Sequence, residues 1–95
     1  MRIPLYTVRV LTSKAQKAWQ SLTPEVRAQV ELEIRTFPKH NPLSPKLHDH
    51  LEGKVFGVNR RCHYEYKGLR GGRRVFYTVH DAARRVEIEY IGPHP

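Results

Sequence analysis

The sequence has one cysteine, no long apolar run and few acidic residues, and each shortage excludes a class of protein. Cys62 is the only cysteine, so no disulfide can form within the chain and a reducing cytoplasm is the expected compartment. No stretch of about 18 apolar residues occurs, which excludes a membrane-spanning helix and predicts no membrane partner. The opening MRIPLYTVRVL lacks the apolar segment and small-residue cleavage site of a signal peptide.

Signatures of bound cofactors and metals are also missing. Neither GxGxxG nor GxxxxGK[ST] occurs, so no small-molecule cofactor is predicted. The run His48-Asp49-His50 supplies only two imidazoles, whereas a zinc site needs four matched ligands, and no metal is predicted. Cys62 lies between Arg61 and His63, which would lower its pKa, but no third partner suggests a cysteine nucleophile.

The chain is short and strongly basic. Its 95 residues predict one domain spanning 1–95, and 39% hydrophobic with 27% charged residues is typical of a folded protein. Seventeen Lys and Arg against nine Asp and Glu give a net charge of +8. Such a surplus favours a polyanionic partner, most often nucleic acid. The alternatives are an acidic protein partner or a charge that only keeps the chain soluble.

The positive charge is concentrated in the second half of the chain. Between Lys54 and Arg85 there are nine basic and two acidic residues, a net +7 of the total +8. Five aromatic residues are interleaved with them: Phe56, Tyr64, Tyr66, Phe76 and Tyr77. Cations beside rings are typical of single-stranded RNA binding, where bases stack on exposed aromatics. The alternative is that the rings are core; we favour it for Tyr77, which alternates with valines, and leave both open for Tyr64 and Tyr66.

The first forty residues predict a strand followed by two helices. Residues 5–11, LYTVRVL, alternate as a strand does. Ser13 followed by Gln16 fits a capping box, and the apolar residues after it have helical spacing. Thr23-Pro24 is a strong helix start, after which Val26, Val30, Ile34 and Phe37 form one apolar stripe that Pro38 ends.

The remainder predicts an irregular connection over residues 38–50 and three strands. The strands are Val55–Tyr66, Arg74–His80 and Val86–Ile91, with Val86, Ile88 and Tyr90 on one face of the last. Short turns make the three an antiparallel meander. The predicted fold class is therefore α+β and two-layered: an N-terminal strand and helical hairpin packed on an antiparallel C-terminal meander, in the order β-α-α-β-β-β. The sheet face away from the helices is expected to be open to a ligand.

Three segments in this order resemble the RelE/ParE family of toxins from toxin–antitoxin modules. They are Leu51-Glu52-Gly53, RVFYTVHD at 74–81 and VEIEYIG at 86–92. The resemblance covers nearly the whole chain and implies the RelE-like fold. It also implies a cognate antitoxin as partner. RelE-like members cleave mRNA on the ribosome and so inhibit translation, whereas ParE-like members inhibit DNA gyrase.

The favoured function is a metal-independent endoribonuclease that cleaves ribosome-associated mRNA. The alternatives are a ParE-like gyrase inhibitor and a non-catalytic domain that binds an antitoxin or nucleic acid. RNA cleavage needs proton transfer at the 2′-oxygen and 5′-oxygen and stabilisation of negative charge on the phosphate. Histidine suits the proton steps and arginine suits the phosphate.

The resemblance and the chemistry together select the candidate site residues. The resemblance aligns Arg74 with a phosphate-binding arginine and places His94 where related nucleases carry a catalytic residue. Arg61 and Arg74 are therefore expected to bind the phosphate, and His63 or His94 to act as acid or base. Five further cations are predicted to bind RNA: Lys54, Arg60, Lys67, Arg70 and Arg73.

Overall fold

A computed structural model describes residues 5–39, 48–51, 54–55, 58–59 and 63–93. The elements, in chain order, are β1 (Thr7–Val10), α1 (Ser13–Ser21), α2 (Pro24–Thr36), β2 (His48–Leu51), β3 (Lys54–Val55), β4 (Val58–Asn59), β5 (His63–Tyr66), a 3₁₀ turn (Arg70–Gly72), β6 (Arg73–His80) and β7 (Arg85–Pro93). Within the described ranges, neither helix is long and apolar enough to cross a membrane.

Threonine side chains begin both helices. Thr23 accepts a hydrogen bond from the Val26 amide at the start of α2, as predicted, with Pro24 in the first turn. In α1 the predicted capping box at Ser13 is wrong. The cap is Thr12, whose hydroxyl accepts from the Ala15 amide at 3.0 Å. Gln16 instead donates to the Val10 carbonyl oxygen, and thereby ties α1 back to β1.

The main sheet has five strands in the order β1-β7-β6-β5-β2. Strands β5, β6 and β7 form the predicted antiparallel meander. The N-terminal strand β1 joins the same sheet as an edge strand, parallel to β7, with Thr7 opposite Arg85 and Val10 opposite Ile88. The α+β fold class is confirmed, and the sheet is mixed because its outer strand comes from the other end of the chain.

Two predictions in the middle of the chain are wrong. His48–Leu51, expected to be part of an irregular connection, is a strand that pairs antiparallel with β5. The single strand predicted over Val55–Tyr66 is divided, since Val55 pairs with Val58 in a small separate hairpin and β5 begins only at His63. The sequence did not reveal the strand His48–Leu51 for two reasons. The segment before it is rich in proline, and four residues are too few for a clear period-two signal.

The hydrophobic core lies between the helices and one face of the sheet. Val30 and Ile34 of α2 meet Val75, Tyr77 and Val79 of β6 there. The Tyr77 hydroxyl donates to the Pro38 carbonyl oxygen at 2.7 Å. Tyr66 is 1% exposed and Tyr64 stacks on Tyr77 with ring centroids 6.1 Å apart. Tyr66 and Tyr77 are therefore core residues, and Tyr64, which is partly buried, packs against the core, which answers the question that the sequence left open.

An irregularity in the β6–β7 pairing reverses the faces of the last residues. Phe76 pairs with Tyr90, but the next residue, Tyr77, pairs with Ile88, so Glu89 is the extra residue of a bulge. Ile91, rather than Tyr90, then returns to the core. The prediction that Tyr90 shares a face with Val86 and Ile88 is wrong for this reason. Tyr90 lies instead beside Phe76, with ring centroids 5.6 Å apart.

The face away from the helices is not open at its centre, contrary to expectation. His63, Glu65, Phe76 and Thr78 all belong to this face and are all buried. They pack on one another and on β7: the His63 and Phe76 ring centroids are 6.1 Å apart, and Thr78 donates to Glu89 at 2.6 Å. The centre of this face therefore does not present these four side chains to a ligand.

Candidate nucleic-acid interface

Four cations gather at one end of the sheet, which we call the basic end. Lys67 follows β5, Arg70 lies in the 3₁₀ turn, and Arg73 and Arg74 begin β6. Lys67, Arg70 and Arg73 are exposed and Arg74 is partly exposed. The turn that presents them needs glycine, because Gly71 and Gly72 have φ angles of +74° and +72°. This loop was predicted as a hairpin connection, and the antiparallel β5–β6 ladder confirms it.

Arg74 is held by an ion pair with Glu65. The guanidinium Nη1 contacts the Glu65 carboxylate across the β5–β6 hairpin. The Arg74 side chain is 30% exposed and that of Glu65 is 5% exposed, so the carboxylate anchors the arginine from beneath. A guanidinium has five N–H donors, and the pair with one carboxylate leaves donors for a phosphate. Glu65 therefore fixes the direction of Arg74 without consuming its binding capacity.

The last residues of β7 lie against the basic end. Arg73 pairs with Pro93 and Arg74 with Gly92. The Tyr90 hydroxyl donates to the Pro93 carbonyl oxygen at 2.6 Å. A Cβ on Gly92 would lie 2.9 Å from that hydroxyl, so glycine is what allows the ring this close. The chain that continues into His94 thus leaves the sheet beside two arginines.

His63 lies elsewhere and is fully enclosed. It is opposite Thr78, whereas Arg74 lies four residues further along β6, about 13 Å away at 3.3 Å per residue. Arg74 and His63, both candidates for one site, are therefore not opposite each other across the hairpin. The His63 ring is 0% exposed; its Nδ1 is 3.4 Å from the Thr78 hydroxyl and 3.8 Å from a Glu89 carboxylate oxygen. Glu89 belongs to this network because it follows the core residue Ile88 and therefore lies on the same face as Thr78 and His63.

A second group of charges lies at the opposite end of β6. His80 Nε2 is 2.7 Å and Arg85 Nε 3.1 Å from the two carboxylate oxygens of Glu87. Arg84 is exposed in the adjoining turn. Among the cations between Lys54 and Arg85 whose side chains the structure describes, the positive charge is divided between two ends of the sheet, and Glu87 offsets part of it at this one.

The remaining candidates fall partly or wholly outside the described residues. Lys54 pairs through its backbone with Asn59 in the small hairpin. Arg60, Arg61 and His94 lie outside the described residues. Among the side chains that the structure describes, no three His, Cys, Asp or Glu residues come together as a metal site would require.

Sequence reasoning missed Glu65 and Glu89. Glu65 could have been found by counting the hairpin register, because Glu65 opposite Phe76 puts it on the Arg74 face one step away. The face of Glu89 follows from its alternation with Ile88, but its contacts with Thr78 and His63 depend on how three strands pair, which the sequence VEIEYI does not show. The bulge that turns Tyr90 to this face likewise arises from the pairing of two strands.

Several solved structures have a fold similar to that of this chain. The chain aligns with RelE in an archaeal RelE–RelB complex from Pyrococcus horikoshii, with a TM-score of 0.61 and 22% identity over 94% of both chains. It aligns with the E. coli RelBE toxin–antitoxin complex, with a TM-score of 0.58 and 22% identity over 95% of this chain and 98% of that one. A conserved hypothetical protein from Helicobacter pylori gives 0.62 at 14% identity, over 95% and 96%.

The likeness to RelE is one of fold. No protein-family model and no curated protein sequence matches the chain. The sequence resemblance noted above nevertheless predicted the architecture that these structures share, and that prediction is confirmed.

Proposed function

We propose that this chain is the toxin of a toxin–antitoxin pair, that it acts in the cytoplasm, and that it cleaves ribosome-associated mRNA at the basic end. The likeness of its fold to RelE toxins, two of them in complexes with an antitoxin, supports the first part. The observation that supports cleavage at the basic end is the pairing of Arg73 and Arg74 with Pro93 and Gly92. Two arginines and the residue that precedes His94 therefore lie at the same end of the sheet.

The proposed chemistry needs no metal. The 2′-oxygen of the ribose attacks the adjacent phosphorus, the 5′-oxygen leaves, and a 2′,3′-cyclic phosphate and a 5′-hydroxyl result. Arg74 and Arg73 stabilise the negative charge that grows on the phosphate oxygens. His94 either takes the proton of the attacking 2′-hydroxyl or gives a proton to the leaving 5′-oxygen, a task suited to an imidazole, and water accepts or supplies the other proton. Lys67 and Arg70 hold the neighbouring phosphates.

The other two candidates enter this proposal differently. Arg61, which precedes β5 in the sequence, is proposed as a third phosphate-binding arginine beside Arg73 and Arg74. His63 could transfer a proton only if its ring, which is 0% exposed, were uncovered when RNA binds. Its contacts with Thr78 and Glu89 favour a structural role.

A cell-free translation extract tests the cleavage proposal. Adding the purified chain should stop protein synthesis, and primer extension on the message should show new 5′ ends. His94→Ala and Arg74→Lys, each checked for folding by circular dichroism, should remove most of the new ends. Normal protein synthesis beside an intact message would reject the nuclease. Repeating the assay on the same RNA without ribosomes shows whether cleavage requires them.

One observation favours binding without catalysis as the second candidate. Of the two histidines whose side chains the structure describes, His63 and His80, neither lies at the basic end. A cationic surface without a proton-transfer group would suit a ParE-like inhibitor of gyrase. Inhibition of DNA supercoiling by the purified chain, together with intact message in the extract, would favour this alternative.

A further inference from the structure

A cavity of about 500 Å³ opens between the α1–α2 turn and the loop that joins β5 to β6. Leu22, at the end of α1, forms one wall, Val26 and Val30 of α2 form the next, and Leu69 closes the third. Its volume lies within the range of roughly 300–1,000 Å³ usual for ligand pockets. The aliphatic walls share the lining with the polar residues Ser21, Thr23 and Gln29, and the cavity is large enough for a bulky side chain.

The mouth of the cavity is positively charged. Arg70 and Arg73, both exposed, line it from the β5–β6 side, and the Arg73 Nε donates to the Arg70 carbonyl oxygen at 3.3 Å. No acidic residue appears among the described residues of its lining. An occupant must therefore combine an apolar group, which enters, with negative charge, which remains at the rim.

We propose that this cavity is a docking site for an acidic peptide segment of a protein partner, one large apolar side chain of which enters between Leu22, Val26, Val30 and Leu69. Carboxylates on either side of that side chain pair with Arg70 and Arg73. Such carboxylate–guanidinium pairs are charge-assisted and directional, while the apolar anchor supplies the buried contact. The site shares Arg70 and Arg73 with the proposed RNA-binding surface, but peptide docking there involves no cleavage step.

An RNA base would be a poorer occupant. Nucleobases are held by stacking on exposed rings. The only aromatic residue in the described lining is Tyr66, which is 1% exposed and whose hydroxyl contacts Glu33. Branched aliphatic walls instead match leucine, phenylalanine or tryptophan side chains. The lining thus favours a protein segment over a nucleotide.

The test uses synthetic peptides and the full chain. Each 12-residue peptide carries four glutamates around a central leucine, phenylalanine or tryptophan, and a matched peptide carries serine there. Fluorescence anisotropy measures affinity, and amide chemical shifts locate the site. We expect the apolar peptides to shift the amides of Leu22, Gln29, Gly68 and Leu69, and to bind at least tenfold more tightly than the serine peptide.

A charge-reversal pair provides the control. Arg70→Glu with Arg73→Glu should weaken the apolar peptides at least tenfold. Lys14→Glu with Lys17→Glu, exposed residues of α1 outside the cavity lining, makes the same change in net charge and should alter affinity less than twofold. Equal affinity for serine and apolar peptides, no shift of the cavity amides, or stronger cavity shifts with a short oligouridylate would each overturn the proposal. None of these results depends on whether the chain cleaves RNA.

Discussion

Arg74 and Glu65 form an ion pair that joins β6 to β5 at the basic end, with the carboxylate buried beneath the guanidinium. The pair makes any substitution of Arg74 act on stability as well as on RNA. Removing the arginine leaves a carboxylate that is 5% exposed without its cation, which is costly in a protein interior.

We therefore expect Arg74→Ala to lower the free energy of unfolding by about 1–3 kcal/mol. Adding Glu65→Gln should recover part of that loss, because the remaining group is then neutral. Urea unfolding of the two single variants and the double variant measures the coupling. Cleavage should be lost in both variants that lack Arg74. Additive stability effects in this cycle would mean that the ion pair contributes nothing.

RNA binding should weaken steeply with salt. Four cations form the basic end, and each phosphate contact on a single strand contributes a slope of about −0.7 to log K against log salt, or about −3 in all. Arg70→Ala should reduce that slope by about 0.7 and Arg84→Ala, at the other end of β6, should leave it unchanged. Anisotropy of a labelled oligonucleotide at several salt concentrations gives the slopes. Equal reductions in the two variants would mean that the basic end is not the binding surface.

Tyr90→Phe should lower the rate of cleavage clearly while changing the free energy of unfolding only slightly. The variant keeps the ring beside Phe76 and removes only the hydrogen bond to the Pro93 carbonyl oxygen. That bond is at the surface, so we expect a loss of at most about 1 kcal/mol in stability. The segment entering His94 is no longer held, and single-turnover cleavage should fall several-fold. If saturating RNA restores the full cleavage rate of the variant, the substitution affects RNA binding rather than the chemical step.

His63→Asn should act mainly on folding. The ring contacts Thr78, Glu89 and Phe76 in the middle of the sheet, so its loss should lower the free energy of unfolding by about 1–3 kcal/mol. The folded fraction should cleave RNA at the normal rate. Thr78→Val, which removes the hydroxyl from the same network, is the matched control. If the His63→Asn variant folds normally but has no activity, His63 has a catalytic role.

The stability of the chain should fall at both acid and alkaline pH through one surface cluster. Hydrogen bonds from Lys39 and then Tyr6 lower the pKa of Asp81, and the bond to Asp81 raises the pKa of both partners. Because the pKa of Asp81 is lower in the folded chain, its ionised carboxylate stabilises the fold at pH values above the ordinary carboxyl pKa. This contribution disappears as the pH falls below about 4. Raised Lys and Tyr pKa values stabilise it below about 10, and this contribution disappears as the pH rises further.

Asp81→Asn should remove both dependences, so its stability should change less with pH than that of the unmodified chain. Urea unfolding between pH 3 and pH 11 measures this. The side chain is half exposed, so the effect is expected to be small. Identical pH profiles for the two proteins would show that other groups control the acid and alkaline limits.

The structural features that the sequence predicted correctly are those that depend on residues close together in the chain. The Thr23-Pro24 helix start, the α2 stripe through Val30 and Ile34, and the alternation of β6 are all readable from a few adjacent positions. The features that sequence reasoning missed arise between distant segments. The parallel β1–β7 pair, the bulge at Glu89 and the strand at His48–Leu51 depend on partners that no local window contains.

The candidate site divides in the same way. The choice of arginine for the phosphate, and of Arg74 in particular, comes from the sequence and stays a prediction. The geometry of the site could not be predicted, because the hairpin register separates His63 from Arg74 and makes Glu65 the partner of the arginine.

The parallel pairing of β1 with β7 also bears on when the protein becomes complete during synthesis. The first strand leaves the ribosome early, yet the Thr7 amide bonds the Arg84 carbonyl oxygen and the Leu11 amide bonds that of Ile88. The β1–β7 pair can close only after β7 has left the ribosome, and such long-range closure is slow. Until then β1 lacks the strand that it pairs with, so this edge of the sheet is completed late, although its residues are among the first to be made.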